Sequence, residues 1–146
     1  MAKTVRYNYA SGSPWEPLRG YSRAVRVGNQ LFISGTTAVD DNGEVVAPGD
    51  PYEQTRYVIR VLRTILKKTG FDLSDIVRTR LFITDMSQWN QYARAHREFF
   101  EHIRPASSIV QVARLVDPRL VIEMEAVAVL GAGQTEDLEV HWDGPD

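Results

Sequence analysis

Apolar and polar residues alternate along several stretches of this chain, most clearly near its end. The segment from Val121 to Leu130 reads V-I-E-M-E-A-V-A-V-L. Because successive side chains of a β-strand point to opposite faces, Ile122 and Met124 share one face while Glu123 and Glu125 share the other. Both faces are otherwise apolar, which is typical of a central strand that is covered on both sides.

Glu123 and Glu125 are unusual in such a strand, because burying a charge is costly unless another group compensates it. Two interpretations are open at this point. Either the two carboxylates bind arginines at a sheet edge or a subunit contact, or one of them lines a pocket and acts on protons or water.

Five other segments have the composition or the alternation of strands. Gly28-Asn29 is a turn between two of them. The prolines and glycine of Ser11–Pro17 predict a loop, in which we expect Trp15 to cap a hydrophobic edge. In the strand predicted at Ile76–Phe82, Val77 and Thr79 are expected on one face. The predicted strands are Val5–Tyr9, Tyr21–Val27, Gln30–Thr36, Ile76–Phe82 and Ser108–Leu115.

Two segments have the pattern of amphipathic helices. Asp50 can cap the first helix, Pro51 suits its first position and Glu53 completes a box-like pattern. Apolar residues then recur at helical spacing up to a stop at Gly70. We expect a second helix from Ser87 to Ile103. Its apolar stripe consists of Trp89, Tyr92, His96, Phe99, Phe100 and Ile103.

The order of these elements predicts an α+β fold. Helices separate the later strands, so part of the sheet is expected to be parallel. Both helices should pack on one face of this mixed sheet, giving a two-layer sandwich. The other sheet face is also apolar, and no third layer of the chain covers it, which favours an oligomer. We expect residues 1–130 to form this single domain. Residues 131–146 form an acidic tail, mobile unless Leu138, Val140 and Trp142 dock on a neighbour.

Composition narrows the function classes. The 146 residues include 17 Lys and Arg, 19 Asp and Glu and no cysteine, for a net charge of −2. This charge gives no general attraction to nucleic acid or to an anionic membrane. The absence of cysteine excludes disulfides and thiolate catalysis. No stretch reaches the roughly 20 apolar residues of a membrane span, and no signal-peptide pattern begins the chain. We therefore expect a cytoplasmic protein.

The histidines do not predict a metal site. His96 and His102 lie about 240° apart around the second helix, and His141 lies in the tail. His96 belongs to an apolar stripe, so we interpret it as a packed residue rather than a catalyst. The turn 40–43 lacks the oxygen spacing of a calcium loop. Without a nucleophile–base pair, an enzyme of this sequence would act on water or protons through carboxylate, tyrosine and backbone groups.

Three motifs of the chain resemble the Rid family, also called the YjgF type or the reactive intermediate deaminases. They are G-Y-S-R-A-V-R-V-G-N-Q-L-F-I-S-G-T at Gly20–Thr36, D-I-V-R-T-R-L-F-I-T-D-M at Asp75–Met86, and P-A-S-S-I-V-Q-V-A-R-L at Pro105–Leu115. The last motif is followed by I-E-M-E-A-V-A-V. The motifs occur in the same order as in that family, and the resemblance covers roughly residues 18–130.

The resemblance implies a chorismate-mutase-like fold and a homotrimer with ligand clefts between subunits. Family members hydrolyse 2-imino acids, such as those formed from 2-aminoacrylate, to 2-oxo acids and ammonia, and they need no cofactor. The family's pocket glutamate falls on Glu123 and its pocket tyrosine on Tyr21. The backbone of its S-G-T turn falls on Ser34, Gly35 and Thr36.

The sequence departs from the deaminase pattern at three pocket positions. The arginine of P-A-R-S, whose guanidinium binds the substrate carboxylate, is replaced by Ser107, which carries no charge. Ala93 stands where the deaminases have an asparagine, and Ile109 where they have a cysteine. The fold therefore transfers more readily than the activity.

Arg23 stands where family members often have a glutamine. Strand alternation puts it on the face of Tyr21, about 6–7 Å along the strand. It is either a substitute anchor for the substrate carboxylate or a structural ion-pair partner of Glu123 or Glu125.

Three functions remain to be compared. The first is a Rid-type deaminase with altered substrate choice, in which Glu123 positions or activates water while Tyr21 and the S-G-T backbone orient the imine. The second is a non-catalytic trimer that binds a small ligand. The third is an endoribonuclease, which the acidic net charge and the lack of a basic aromatic stripe disfavour.

Overall fold

The computed structural model describes residues 2–136, 139–142 and 144. Its strands are β1 (Arg6–Tyr9), β2 (Ala24–Val27), β3 (Gln30–Thr37), β4 (Ile76–Ile83), β5 (Ala106–Gln111) and β6 (Ile122–Val129). Its helices are α1 (Trp15–Arg19), α2 (Pro51–Lys68) and α3 (Trp89–Phe100). Short 3-10 turns lie at Leu73–Asp75, Met86–Gln88 and Ala132–Gln134.

The six strands form one mixed sheet in the order β1-β2-β3-β6-β4-β5. The alternating segment near the end of the chain therefore lies between two other strands, which confirms the prediction of a central strand. Strands β4 and β5 are parallel, and the other pairs are antiparallel. The parallel pair is joined through α3, as the helical connection requires. The predicted α+β class is confirmed.

Helix α2 begins and ends where its sequence signals lie. The carboxylate of Asp50 accepts a hydrogen bond of 3.0 Å from the backbone N–H of Glu53. Pro51 occupies the first turn, where a backbone N–H has no acceptor within the helix, so the lack of an N–H in proline costs no hydrogen bond. Past the last turn, Gly70 adopts the left-handed conformation with φ of 85°, which ends a helix at little steric cost.

Both long helices cover one face of the sheet. Leu62 of α2 and Tyr92 of α3 are fully buried with Met124 of β6 in a single hydrophobic core. On the opposite face no element of the described chain covers the sheet, and Phe32 and Val110 are 45% and 46% exposed. The two-layer arrangement with one open apolar face agrees with the prediction.

The region before β2 differs from the prediction. Residues 11–17 are not all loop, because α1 forms from Trp15 to Arg19. Prolines are compatible with a first helical turn, and the buried carboxylate of Glu16 accepts a hydrogen bond of 3.0 Å from the backbone N–H of Ser11. The prediction that Trp15 caps a hydrophobic edge is wrong, since its side chain is 64% exposed.

Several element boundaries also shift. Strand β2 begins at Ala24 rather than at residue 21. An irregularity between Ile76 and Arg78 turns Val77 outward, so Val77 and Thr79 do not share a face as predicted. Strand β5 ends at Gln111, and α3 ends at Phe100. Pairing with β4 sets the length of β5, and this pairing is invisible in a local pattern.

In the tail, Leu138 lies outside the described residues. Val140 and Trp142 are each 85% exposed, so neither packs on its own domain. No helix in the described part of the chain combines the length and the apolar character needed to cross a lipid bilayer.

Candidate functional site

Glu123 lies directly over the backbone of Gly35. A Cβ atom added to Gly35 would be 2.1 Å from Oε1 of Glu123 and 2.9 Å from its Cδ. These residues meet because β3 and β6 pair with a register shift between Ile33 and Thr36. The missing side chain at position 35 thus leaves room for a carboxylate on the open face of the sheet.

The guanidinium of Arg23 binds the same turn. Its Nη2 donates to the carbonyl oxygens of Ser34 and Gly35 at 2.5 and 2.7 Å, and to the hydroxyl oxygen of Thr36 at 2.9 Å. Ser34 Oγ in turn donates to the carbonyl oxygen of Ser22 at 2.6 Å. Oxygen atoms of all three residues of the S-G-T turn therefore lie within hydrogen-bond distance of one guanidinium nitrogen and share its two N–H groups.

The surroundings of Arg23 explain the direction of its pKa. Burial lowers the pKa of Arg23 below its ordinary value, while the negative potential of Tyr21, Glu16 and Glu123 acts to raise it. Among the ion pairs within 4.0 Å in the described residues, none involves Arg23. The expected structural ion pair with a sheet glutamate is thus wrong, and the guanidinium binds backbone carbonyls instead.

The two glutamates of β6 have different partners. Glu125 Oε1 lies 2.9 Å from Nη1 of Arg80, which is the arginine pairing that the first interpretation predicted. Glu123 forms no ion pair within 4.0 Å in the described part of the chain. It remains half-buried over the S-G-T turn. The second interpretation therefore stays a prediction, and it concerns Glu123 alone.

Tyr21 lies at the edge of this group. The guanidinium carbon of Arg19 is 4.3 Å from the centre of its ring. Tyr21 lines a cleft of about 540 Å³ together with Asn8 and Glu16. The left-handed Gly20, with φ of 74°, directs the chain from α1 into this position.

A second group of predicted residues lies in a cleft between α3 and β5. The cleft measures about 410 Å³. It contains Ala93, Ser107 and Ile109, the three positions at which the sequence departs from the deaminase pattern. His96 also lines it, although sequence reasoning assigned His96 to packing alone.

Ser107 is connected to His96 through Thr79. The hydroxyl of Thr79 donates to Ser107 Oγ at 2.8 Å and lies 3.0 Å from Nε2 of His96. The His96 ring also lies 4.6 Å from the ring of Phe100, which agrees with the predicted packing. Burial lowers the pKa of His96 to about 4, so the imidazole is neutral at pH 7.

The two groups lie on opposite faces of one sheet. Glu123 pairs with Phe82 of β4, whereas Ser107 pairs with Thr79, three residues earlier on the same strand. An odd separation along a strand places side chains on opposite faces. The structure therefore brings Glu123 together with Arg23 and the turn, but it does not bring Ser107 and Ile109 to them within one chain.

Two polar features beside the predicted site residues were not expected from the sequence. The link from His96 through Thr79 to Ser107 joins three elements, and only the pairing of β4 with β5 aligns it. The buried carboxylate of Glu16 lies in a stretch that the prolines marked as loop. For the link, the one available signal was Thr79, a polar residue at an inward strand position.

Comparison with known proteins identifies the family once this geometry is established. Residues 12–130 match the sequence model of the family described as endoribonuclease L-PSP. The chain belongs to this family, the YjgF or Rid family. The resemblance drawn from the three motifs is thereby confirmed.

Two curated relatives illustrate the match. The protein named 3-aminoacrylate deaminase RutC from Acinetobacter baylyi is 35% identical over 117 residues, covering 80% of this chain and 91% of the relative. A RutC family protein from Pyrococcus abyssi is 36% identical over 129 residues, covering 88% and 98%.

Solved structures give the same assignment. A member of the YjgF/YER057c/UK114 family from Mycobacterium tuberculosis is 38% identical with a TM-score of 0.78, covering 86% of this chain and 100% of that one. A protein described as a putative endoribonuclease from Thermotoga maritima is 36% identical with a TM-score of 0.71, covering 88% and 98%. The chorismate-mutase-like fold is confirmed.

The described residues contain no group of three or more His, Asp or Glu side chains close enough together to hold a metal ion.

Proposed function

We propose that this protein is a Rid-type hydrolase that converts reactive 2-imino acids to 2-oxo acids and ammonia without a cofactor. One observation carries the proposal: Glu123 has no ion-pair partner among the described residues and lies over a turn that the guanidinium of Arg23 holds in place. A carboxylate in this state is able to accept a proton from water. The relative named 3-aminoacrylate deaminase supports the reaction class.

The proposed reaction begins when Glu123 takes a proton from water as the oxygen attacks the imine carbon. A new C–O bond forms, the C=N electron pair moves to nitrogen, and Glu123 passes the proton it took from water to that nitrogen. Glu123 then takes the hydroxyl proton of this carbinolamine and transfers it to nitrogen as the C–N bond breaks. Ammonia leaves, the C=O bond of the 2-oxo acid forms, and the carboxylate of Glu123 is regenerated. Tyr21 and the turn of Ser34, Gly35 and Thr36 orient the imine in this scheme.

We further propose a homotrimer with the reaction clefts between subunits. The open sheet face exposes Phe32 and Val110, and an uncovered apolar face favours association. Within one chain, Glu123 and Ser107 lie on opposite faces of the sheet. A neighbouring subunit would therefore have to supply the Ser107 group to a site that contains Glu123.

The substrate choice is proposed to differ from that of the arginine-bearing deaminases. Ala93, Ser107 and Ile109 all line one cleft, so the three departures from the family pattern change the lining of the same cleft. Two of the three side chains are apolar, and the third has a hydroxyl in place of a charge. We expect weak turnover of the smallest 2-imino acids.

The alternative function is a trimer that binds a small ligand without reacting with it. The missing arginine at position 107 favours this reading, because substrate binding in the deaminases relies on that charge. The endoribonuclease description of the family and of the Thermotoga relative is not carried over, since a net charge of −2 does not attract nucleic acid.

Ammonia release tests the proposal. Freshly generated 2-iminopropanoate and 2-iminobutanoate would be given to the wild type, to Glu123→Gln and to Glu125→Gln. The last variant is a matched control, because its carboxylate lies on the same strand face but pairs with Arg80. We expect Glu123→Gln to lose roughly 10²- to 10⁴-fold of the catalysed rate, and Glu125→Gln to retain it. A wild type no faster than the spontaneous reaction would favour the binding alternative.

A further inference from the structure

The cleft between α3 and β5 combines an apolar interior with charged groups at its mouth. Its volume is about 410 Å³. The side chains of Arg97, Arg104 and Glu101 line it from the last turn of α3 and the segment that follows. Two of these three groups are cations. The apolar side chains that line the cleft include those of Leu81, Ala93, Phe100 and Ile109.

Arg104 keeps a side chain where the backbone favours glycine. Its φ is 54°, in the left-handed region that few non-glycine residues adopt. Its N–H donates to the carbonyl oxygen of Phe100 at 2.8 Å, which ends the turn after α3. A glycine would make the same hydrogen bond without strain. The strained arginine therefore points to a use for its side chain at the mouth of this cleft.

The guanidinium of Arg104 already binds a carboxylate from the solvent side. Its Nη1 lies 3.2 Å from Oε1 of Glu139 in the tail. Both side chains are mostly exposed, at 70% and 59%, so solvent screens the pair and another carboxylate is able to displace Glu139. Arg97 lies in no ion pair within 4.0 Å among the described residues.

The neutral hydroxyl of Ser107 lines the same cleft as these cations. Ser107 Oγ lies 2.8 Å from the hydroxyl of Thr79, and this hydroxyl lies 3.0 Å from Nε2 of His96. In the tautomer with the proton on Nε2, His96 donates to Thr79 and Thr79 donates to Ser107. The hydroxyl proton of Ser107 is then available to an oxygen atom in the cleft.

We propose that Arg104 binds the carboxylate of a small 2-imino or 2-oxo acid with a branched or aromatic side chain in this cleft. Arg97 adds a second positive charge, Ser107 donates to an acid oxygen, and the interior at Leu81 and Ile109 holds the side chain. The site thus replaces the charge that position 107 lacks. The reactive imine as ligand rests on the proposed function, whereas binding of an unreactive oxo acid does not.

Calorimetric titration of the full-length protein tests this site with unreactive probes. The probes are 4-methyl-2-oxopentanoate, pyruvate and the uncharged ketone 4-methyl-2-pentanone. The variant Arg104→Asn removes the guanidinium and keeps a residue that tolerates positive φ. Arg60→Asn is the matched control, because Arg60 is exposed on α2 and does not line the cleft.

The wild type is expected to bind 4-methyl-2-oxopentanoate at least tenfold more tightly than pyruvate or the uncharged ketone. Arg104→Asn should weaken this binding at least tenfold without lowering the melting temperature, and Arg60→Asn should leave it unchanged. Unchanged affinity in Arg104→Asn, or a wild type that binds none of the probes, would overturn the inference. Arg104-dependent binding without any ammonia release would remove the proposed hydrolase and leave this binding site standing.

Discussion

The carboxylate of Glu123 occupies the space that a side chain at Gly35 would need. A Cβ atom at position 35 would lie 2.1 Å from Oε1. Gly35 is absent from the residues with positive φ, so a side chain there would be opposed by the Glu123 carboxylate and not by an unusual backbone. The turn and the carboxylate therefore constrain each other through packing.

Gly35→Ala is expected to displace the Glu123 carboxylate and to slow ammonia release roughly 100-fold, because a shift of about 1 Å in a catalytic group has such an effect. The rate would be measured with 2-iminobutanoate. The overlap should also lower the melting temperature of Gly35→Ala. The double variant with Glu123→Asp, whose shorter side chain relieves the overlap, should recover this loss. A single variant with the wild-type rate would contradict the assigned role of this contact.

Arg23→Ala is expected to lower the free energy of unfolding by roughly 1–3 kcal/mol, because the partly buried carbonyl oxygens of Ser34 and Gly35 lose their donor. Denaturant unfolding monitored by circular dichroism would measure this change. Arg23→Lys should recover part of it. If Arg23 were instead a ligand anchor, Arg23→Ala would keep the wild-type melting temperature and lose affinity for 2-oxo acids.

Ser107→Arg is expected to raise turnover of 2-iminopropanoate by roughly tenfold to a hundredfold, because a charge-assisted hydrogen bond contributes about 1.5–3 kcal/mol. Steady-state ammonia release would show the change mainly in kcat/KM. Ser108→Arg is the control, since Ser108 pairs with Arg80 on the other face of the sheet. An equal gain in both variants would refute a specific role for position 107.

The stability of the protein should fall as the pH drops from about 6.5 to about 4, in part because of His96. Burial holds its pKa at about 4 in the folded state, against 6.5 in an unfolded chain. The unfolded state binds the proton first, so this contribution is complete above pH 6.5 and is lost below it. Its size is roughly 1–3 kcal/mol, allowing for solvent at the ring.

Urea unfolding at pH 7.5 and pH 4.5 would isolate this contribution. The side chain of His96→Gln keeps an N–H donor for Thr79 and does not titrate. The free energy of unfolding of this variant should therefore fall less than that of the wild type between pH 7.5 and pH 4.5. Identical pH dependence in the wild type and the variant would show that His96 is not held neutral by burial.

Sedimentation at micromolar concentration is expected to give a particle of three times the 16.5 kDa chain mass. Phe32→Lys should yield monomers, because assembly would bury a charge on the open sheet face. Val116→Lys is the control, since this side chain is 83% exposed in a loop. A monomeric wild type would refute the proposed inter-subunit clefts.

The sequence by itself determined the elements whose signals are local. Strand alternation identified β6 as a central strand, and the cap at Asp50 with the stop at Gly70 set the limits of α2. These signals work because a strand repeats every two residues and because helix ends need particular hydrogen-bond partners. The resemblance carried by the three motifs supplied the family, which the comparisons confirmed.

Tertiary structure decided the relationships between distant residues. Register between β3 and β6 placed Glu123 over Gly35, and the fold around the turn gave Arg23 two carbonyl partners instead of a carboxylate. The pairing of β4 with β5 joined Ser107 to Thr79 and separated both from Glu123. A local pattern does not contain this information, because a one-residue change in register moves every side chain of a strand to the other face.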